Sequence, residues 1–210
     1  MKGLVIALEG QDGTGKSTVI DAITGYFDEM GLNYINAREP GSTDIGEKIR
    51  DILADKANKD MDYHTEALLF AASRSELYDK VIKPNVAKGT SVILDRFLLS
   101  SLAYQGVVRG LGVDEVMKIN DFFLDGFRPD LTILMDLDAK ESYERLKKLG
   151  ELDRIESLGE DFQERVHLAY LKLYEENHMK LIKLDGTKDR ASLAHEALEE
   201  VKKINEGVLV

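Results

Sequence analysis

Near the start of the chain lies the stretch Leu4-Val5-Ile6-Ala7-Leu8-Glu9-Gly10-Gln11-Asp12-Gly13-Thr14-Gly15-Lys16-Ser17-Thr18. Its apolar first part predicts a buried strand, and the amphipathic segment that follows predicts a helix. The turn between them fits the pattern G-x-x-x-x-G-K-[ST] of a phosphate-binding loop. In such a loop the glycines let several backbone N–H groups point at one phosphate, and the helix adds the positive end of its dipole.

This loop predicts a site for a nucleoside triphosphate. We expect Gly10 to Thr18 to hold ATP, with Lys16 at the β- and γ-phosphates and the Ser17 hydroxyl on Mg²⁺. A chance match is the alternative, and composition alone would produce the pattern in a chain of this length about 1% of the time. A GTP-dependent switch would need an Asn-Lys-x-Asp guanine reader, and the nearest candidate, Asn58-Lys59-Asp60-Met61, lacks the final Asp.

The rest of the chain alternates short apolar runs with longer segments of helical period, which is typical of βαβ units and a parallel sheet. Strands are predicted at Leu4–Glu9, Asn33–Ala37, Ser91–Asp95, Leu131–Asp136 and Lys180–Leu184. Helices are predicted at Lys16–Met30, Thr65–Lys88, Val113–Phe127, Ala139–Leu149, Asp161–Asn177 and Asp189–Ile204. Pro84 is expected to kink or end the second helix. With 210 residues and no internal repeat, we expect a single α/β domain over residues 1–210.

Composition limits the classes of partner. The chain has 28 Lys and Arg residues against 39 Asp and Glu, a net charge of -11, so we do not expect it to bind a nucleic-acid backbone. No apolar run reaches the ~20 residues that span a bilayer, and the first run stops at Glu9 without a signal-peptide cleavage site. The chain contains no cysteine, and therefore neither disulfides nor thiolate metal sites. We expect a cytoplasmic protein that does not bind a membrane.

Charged residues follow two further strands, and ligands of open parallel sheets lie beyond the carboxyl ends of the strands. Asp95 ends a predicted strand, where it can coordinate Mg²⁺ through water, and Arg96 beside it is a bidentate donor for phosphate. Arg38 follows the second strand, and Arg50 lies on a short helix after it. A structural Asp–Arg ion pair and a solvated helix charge are the alternatives for these residues.

Phe70 and Arg74 form a second kind of candidate site. They lie four residues apart in a predicted helix and therefore share a face. An aromatic ring beside a guanidinium group suits a base with carbonyl edges. Taken singly, Phe70 fits a core position and Arg74 a surface position.

Together these motifs resemble the thymidylate kinase family. The resemblance rests on Glu9 to Thr18, Arg38-Glu39-Pro40-Gly41, Thr65 to Arg74, Asp95-Arg96-Phe97 and Ser100 to Gly106, which match in order and spacing. It implies a P-loop kinase fold of five parallel strands with helices on both faces, a homodimer, and transfer of the γ-phosphoryl group of ATP to dTMP. A kinase of another nucleoside monophosphate or of a deoxynucleoside remains open, as does a nucleotide-binding regulatory module without turnover.

The resemblance also implies roles in binding the base and sugar. Phe70 would stack on thymine, and Arg74 would bond its O4. Ser101 and Gln105 would contact the edge of the ring. Tyr104 would lie under the sugar and disfavour a 2′-OH.

Roles at the acceptor phosphate follow from the same resemblance. Three guanidinium groups would hold this phosphate, those of Arg38, Arg50 and Arg96. Asp12 and Glu39 would lie near the sugar 3′-OH or the metal. A nucleoside acceptor would instead need a carboxylate base near its 5′-OH.

The resemblance extends to a mobile lid expected near residues 149–160. Its charged run is Glu151-Leu152-Asp153-Arg154-Ile155-Glu156. The family often has an arginine before this run, and here that position is Leu149, which leaves Arg154 as the only arginine in the run. The expected catalytic residues are Lys16, Arg96, Arg154, Asp12 and Asp95.

Overall fold

Five parallel strands form the sheet of the molecule. A computed structural model describes residues 3–148, 150, 152–177, 179 and 181–205. The strands are β1 (Val5–Glu9), β2 (Tyr34–Arg38), β3 (Ser91–Asp95), β4 (Leu131–Asp136) and β5 (Ile182–Asp185). Their order across the sheet is β2-β3-β1-β4-β5, and every neighbouring pair is parallel. The predicted α/β fold with a five-stranded parallel sheet is therefore confirmed.

Strand β1 is buried on both faces because it lies at the centre of the sheet. Its side chains alternate in direction, as those of any strand do. Val5 and Ala7 pack into one apolar cluster, and Ile6 and Leu8 pack into the other. This burial explains why the strand is a continuous apolar run and not an alternating one.

Helices cover both faces of the sheet. They are α1 (Lys16–Glu29), α2 (Asp44–Ala54), α3 (Tyr63–Leu77), α4 (Lys83–Ala87), α5 (Leu98–Ser101), α6 (Val113–Leu124), α7 (Ala139–Lys147), α8 (Glu160–Glu175) and α9 (Arg190–Asn205). Helices α1 and α9 pack against each other over the face of Ile6 and Leu8. Helices α3, α6 and α8 contribute buried apolar side chains to the opposite face.

Two helical stretches differ from the sequence prediction. The segment predicted as one helix over Thr65–Lys88 consists of α3, a π-helical turn at Tyr78–Ile82, and α4. Pro84 does not end the helix, because it lies in the first turn of α4, where the missing N–H matters least. A second π-helical segment, Leu102–Val108, continues α5, and neither was predicted. Gly106 and the serines before it weaken the helical pattern there.

The boundaries of the last elements shift slightly. Strand β5 begins at Ile182, and its predicted first residue, Lys180, lies outside the described residues. Leu149 and Glu151 of the predicted lid also lie outside them. Residues Glu156–Leu158 form a 3₁₀ turn before α8. Within the described ranges, no helix is both long enough and apolar enough to cross a membrane.

Candidate active site

The phosphate-binding loop connects β1 to α1 at the carboxyl edge of the sheet. Gly10, Gly13 and Gly15 have φ angles of 119°, 83° and 101°, which side chains rarely adopt. A Cβ atom at Gly10 would lie 2.6 Å from the Met135 carbonyl oxygen, so the loop passes too close to β4 for any other residue. The predicted strand, glycine-rich loop and helix therefore fit together locally.

Lys16 lies buried at the start of α1, with its ammonium group held over the loop. Its Nζ donates to the carbonyl oxygens of Gly10 and Gln11 at 3.1 and 2.9 Å. It also lies 3.3 Å from Asp12 Oδ1 and 3.9 Å from Asp95 Oδ1. These contacts hold a positive charge where a bound phosphate would meet the loop.

Arg96 joins the phosphate loop to the end of β3. Its Nη1 donates to the Gly10 carbonyl oxygen at 2.6 Å, and its Nη2 to Asp12 Oδ2 at 2.7 Å. The φ angle of Arg96 is 70°, an uncommon conformation for a residue with a side chain. Burial opposes ionisation of Asp12, but the charges of Arg96 and Lys16 outweigh it and lower the pKa of Asp12 well below its usual range. Asp12 is therefore ionised and accepts from both cations.

Glu9 supports the turn that carries Arg96. Its fully buried carboxylate accepts from the Phe97 backbone N–H at 2.9 Å and from the Ser100 hydroxyl at 2.5 Å. The Ser100 hydroxyl also lies 2.8 Å from the Tyr170 hydroxyl. Burial raises the pKa of Glu9, although these partners act in the opposite direction.

Two cavities meet at this edge of the sheet. The loop cavity includes Asp12, Gly13, Gly15, Lys16, Ser17, Thr18 and Asp95 among its lining residues, together with Arg145, Lys188 and Arg190. The second, which we call the acceptor cavity, brings together predicted residues from distant parts of the chain. These are Asp12, Arg38, Glu39, Arg50, Phe70, Arg74, Asp95, Arg96, Ser101, Tyr104 and Gln105. Asp12, Asp95 and Glu156 line both cavities.

Three predicted loop residues line neither cavity. The carbonyl oxygen of Gly10 accepts from the ammonium group of Lys16 and from the guanidinium group of Arg96. Gln11 is buried, and its Nε2 donates to the side chain and carbonyl oxygens of Gln163, both at 2.8 Å. Thr14 donates its hydroxyl to the Gln11 carbonyl oxygen at 2.8 Å. The Gly10 carbonyl oxygen and the side chains of Gln11 and Thr14 therefore hold the loop in shape through contacts within the protein.

Ser17 and Asp95 provide the oxygen atoms that a magnesium ion would need. Both line the loop cavity. Asp95 Oδ1 is buried and has no hydrogen-bond partner among the residues that the structure describes. Hydroxyl, carboxylate and water oxygens are the ligands that Mg²⁺ prefers. The donor set therefore fits the predicted metal, and the assignment of Ser17 and Asp95 to it stays a prediction.

Arg74 is the most completely enclosed charge of the acceptor cavity, with 1% of its surface exposed. Its Nε donates to Glu39 Oε2 at 2.9 Å, and its Nη2 pairs with Glu39 Oε1. Nη2 also donates to Ser101 Oγ at 2.9 Å, while Nη1 donates to Asn120 Oδ1 at 2.6 Å. Burial raises the pKa of Glu39 to about 7, because the loss of solvent outweighs the attraction of Arg74.

The predicted phosphate-binding arginines of the second strand and its helix face the same cavity. Arg38 is half exposed, and its Nη2 donates to Glu47 Oε2 at 2.7 Å. The Nη1 of Arg50 donates to the Pro40 carbonyl oxygen at 3.1 Å. Among the described residues, one side-chain hydrogen bond is recorded for the guanidinium group of each arginine.

Arg154 is the predicted catalytic residue outside the phosphate loop that lines neither cavity. Its guanidinium is buried, with Nη1 2.8 Å from Glu66 Oε2 and Nε donating to the Leu53 carbonyl oxygen at 2.7 Å. Its backbone N–H donates to the Ala54 carbonyl oxygen at 3.0 Å. The Arg154 segment therefore packs against the end of α2, and its charge points at Glu66 and not at the phosphate loop.

Sequence reasoning missed several residues that hold the site residues in place. Glu9, Asn120 and Tyr170 bond to the turn after β3 or to Arg74, and Glu66 bonds to Gln105. The sequence contains one indication of these contacts. Glu66 lies in an otherwise apolar helical stretch, and a buried carboxylate there needs a hydrogen-bonding or charged partner.

The loop cavity shares Asp12 and Asp95 with the arginine-rich acceptor cavity, at the carboxyl edge of a five-stranded parallel sheet. This combination defines a P-loop kinase of nucleoside monophosphates. A sequence model of the family described as Thymidylate kinase matches residues 8–196. The chain belongs to the thymidylate kinase family.

Individual relatives agree with the family match. A thymidylate kinase from Clostridium novyi (strain NT) is 42% identical over 205 residues, which cover 96% of this chain and 97% of the relative. One from Finegoldia magna is 40% identical over 203 residues, covering 96% and 99%. One from Thermosipho africanus is 45% identical over 185 residues, covering 88% and 90%.

Proposed function

We propose that the chain transfers the γ-phosphoryl group of ATP to the phosphate of dTMP, giving ADP and dTDP. The observation that carries this proposal is the junction of the two cavities at Asp12 and Asp95. A phosphoryl group that passes between two anions needs positive charge at the point of transfer. Lys16 and Arg96 supply it, each bonded to a different oxygen of Asp12.

ATP occupies the loop cavity in this proposal. The backbone of Gly10 to Thr18 surrounds the β-phosphate, and Lys16 moves from its carbonyl partners to the β- and γ-phosphates. Mg²⁺, held by Ser17 and through water by Asp95, would neutralise charge on the triphosphate when bound.

The acceptor phosphate lies beside Arg38, Arg50 and Arg96. One of its oxygens forms a bond to the γ-phosphorus as the bond from that phosphorus to the bridging oxygen breaks, and ADP leaves with the electron pair. No base is needed, since this phosphate is already ionised near neutral pH. Three arginines suit a phosphate acceptor better than a nucleoside hydroxyl.

The base of dTMP lies against Phe70 at the inner end of the acceptor cavity. Among the described residues, Nη1 of Arg74 has one acceptor, Asn120, so its other N–H is available for O4 of thymine. Ser101 and Gln105 contact the ring edge. Tyr104 lies under the sugar. The centroid of its ring is 5.8 Å from Cζ of Arg96.

A catalytic role for Arg154 requires a movement of its segment. To reach the γ-phosphate, Arg154 must exchange Glu66 and the Leu53 carbonyl oxygen for phosphate oxygens. We propose that residues near 149–160 act as the lid and that ATP provides the new partners. Closure would also exclude water that could hydrolyse ATP.

A homodimer is the proposed assembly, in the cytoplasm. Phe122 on α6 is 92% exposed and Leu68 on α3 is 55% exposed, and these two helices pack against each other. Apolar side chains this exposed are suited to an interface between two copies. The lack of cysteine agrees with a reducing compartment.

A coupled assay of ADP release over a panel of acceptors tests the function. We expect turnover with ATP, Mg²⁺ and dTMP, and far less with dCMP, AMP or thymidine. Lys16→Ala serves as the inactive variant, because its ammonium is lost while the backbone of the loop remains, and its rate is expected to fall about 100-fold or more. Lys203→Ala is the control, since Lys203 is an exposed residue of α9, away from both cavities and from the proposed interface.

Each alternative has its own result in this assay. Preferred turnover of thymidine identifies a nucleoside kinase, and preferred turnover of another monophosphate identifies a different acceptor. Nucleotide binding without ADP release from any acceptor identifies a regulatory module. Wild-type rates for Lys16→Ala would contradict the assignment of the loop.

A further inference from the structure

Glu66 is a buried carboxylate with no place in the reaction described so far. It projects from α3 one turn before Phe70, and 1% of its surface is exposed. Its oxygens accept from Gln105 Nε2 at 3.0 Å, from Arg109 Nε and Nη2 at 3.1 Å, and from Arg154 Nη1 at 2.8 Å. Three segments that are distant in sequence therefore meet at one side chain.

The charge of Glu66 decides how Gln105 is oriented. Burial favours the neutral form, but the bonds from Arg109, Gln105 and Arg154 outweigh it and lower the pKa of Glu66. An ionised carboxylate can only accept hydrogen bonds. Gln105 must therefore turn its NH₂ group toward Glu66, which leaves its Oε1 for whatever occupies the acceptor cavity that Gln105 lines.

We propose that Glu66 is a positioning residue for base selection, because it fixes the amide of Gln105 with the acceptor oxygen toward the base. This inference rests on the proposed function. Thymine offers an N3–H donor and an O4 acceptor, which match Oε1 of Gln105 and an N–H of Arg74. Cytosine offers an N3 acceptor and an N4 donor, and matches neither.

The fixed orientation matters because a glutamine amide that is free to rotate can either accept from the N3–H of thymine or donate to the N3 of cytosine. Turned by 180°, Gln105 would present NH₂ to the base and could bond N3 of cytosine. Glu66 rules out that state, since two acceptors would then face each other in a buried space. Selectivity against cytosine thus depends on a residue that does not line the acceptor cavity.

The test is the ratio of kcat/KM for dTMP to kcat/KM for dCMP. Glu66→Gln keeps the shape of the side chain but offers both a donor and an acceptor, so Gln105 can turn. We expect the ratio to fall about tenfold or more, with part of the change coming from a gain with dCMP. Arg109→Lys is the matched control, because it disturbs the two bonds from Arg109 to Glu66 but keeps a positive charge there, so Glu66 stays ionised and still faces Gln105. Its ratio is expected to equal that of the wild type.

Each result decides the inference. A folded Glu66→Gln that keeps the wild-type ratio overturns it, as does an equal fall of the ratio in Arg109→Lys. If Glu66→Gln does not fold, Glu66→Asp takes its place, since it keeps the charge for both arginines but withdraws the carboxylate from Gln105. A fall of the ratio in Glu66→Asp supports the inference, and the wild-type ratio overturns it. Failure of the wild type to phosphorylate dTMP would be seen first and would contradict the proposed function instead.

Discussion

Asp12 shows how single residues control the charge of the site. It is the fourth residue before Lys16 and accepts from that ammonium through one oxygen and from Arg96 through the other. Two cations would otherwise repel each other across the junction of the cavities. With Asp12 between them, both stay close to the position of the transferring group until phosphate oxygens replace the carboxylate.

Glu39 gives the folded protein a distinctive dependence on pH. Its pKa is about 7 in the fold and near 4.5 in an unfolded chain. Between these values the folded state binds more protons, so the free energy of unfolding contributed by Glu39 falls as pH rises through this window. We expect the stability of Glu39→Gln relative to the wild type to rise by up to about 3 kcal/mol from about pH 5 to about pH 8.

Denaturant unfolding of both proteins across this range measures the effect. The comparison with Glu39→Gln subtracts the groups that the two proteins share, among them Glu9, whose pKa is also raised and whose charge adds to the shift of Glu39. Parallel curves for the two proteins would show that Arg74 keeps Glu39 ionised at every pH in the range.

Many site residues could be predicted because their chemistry is local. The phosphate loop is a continuous pattern, Arg38 and Asp95 end strands β2 and β3, and Arg96 directly follows β3. Glu66 could not be predicted in the same way. Its partners lie 39 residues away at Gln105 and 43 residues away at Arg109, and only the packed fold brings them together.

At the scale of elements, the segment around Arg154 joins α2 to α3 through hydrogen bonds. Arg154 donates to the Leu53 carbonyl oxygen at the end of α2 and pairs with Glu66 of α3. This arrangement differs from a solvated loop whose arginine pairs with Asp153 or Glu156. The segment therefore has a defined resting position, from which the proposed lid movement would start.

The variant Arg154→Ala separates this docking from catalysis. We expect the free energy of unfolding to fall by about 1–3 kcal/mol, since Glu66 loses a charged partner. We also expect kcat to fall about 10³-fold, with the affinity for dTMP nearly unchanged, because the arginine acts on transition-state charge. Thermal unfolding and steady-state kinetics measure the two effects.

Arg109→Ala is the control for this experiment. Arg109 also pairs with the Glu66 carboxylate, at 3.1 Å, and has no proposed role at the phosphates. Arg109→Ala is expected to lower the free energy of unfolding as much as Arg154→Ala does, but to keep most of the wild-type kcat. An equal kcat in the two variants would show that Arg154 only docks its segment.

The strands were easier to predict than the helices that carry the base-binding residues. Buried parallel strands are short apolar runs, and the predicted bounds agree with the observed ones to within about two residues. Helix α5 and the π-helical segment Leu102–Val108 were missed, although they carry Ser101, Tyr104 and Gln105. Wide π-helical turns have no periodic signal of their own, because tertiary contacts stabilise them.

At the scale of the whole molecule, the strand order explains why two substrates can meet. Strands β1 and β3 are neighbours, with Leu8 beside Asp95. The loop after β1 and the Asp95–Arg96 turn after β3 therefore leave the sheet side by side. The amino-acid sequence contains the two motifs but not this adjacency, which results from the crossover of the chain between the strands.

The proposed dimer makes a prediction at the same scale. Phe122→Asp places a charge on the most exposed apolar side chain of α6, and we expect the mass in solution to change from that of a dimer to that of a monomer. Light scattering after size-exclusion chromatography measures it. Leu168→Asp on α8, 54% exposed, is the control and is expected to remain a dimer. A monomeric wild type would contradict the assembly itself.

The backbone of Arg96 has a consequence for how this protein can change. Glycine adopts a φ of 70° freely, whereas a residue with a side chain carries a strain of about 1–3 kcal/mol there. Glycine at this position would relieve the backbone, but the fold would lose the hydrogen bonds from Arg96 to Gly10 and Asp12, and the phosphate would lose a guanidinium. The strain at residue 96 therefore persists because of the side chain that it carries, and substitutions that stabilise the protein without loss of turnover must lie at other positions.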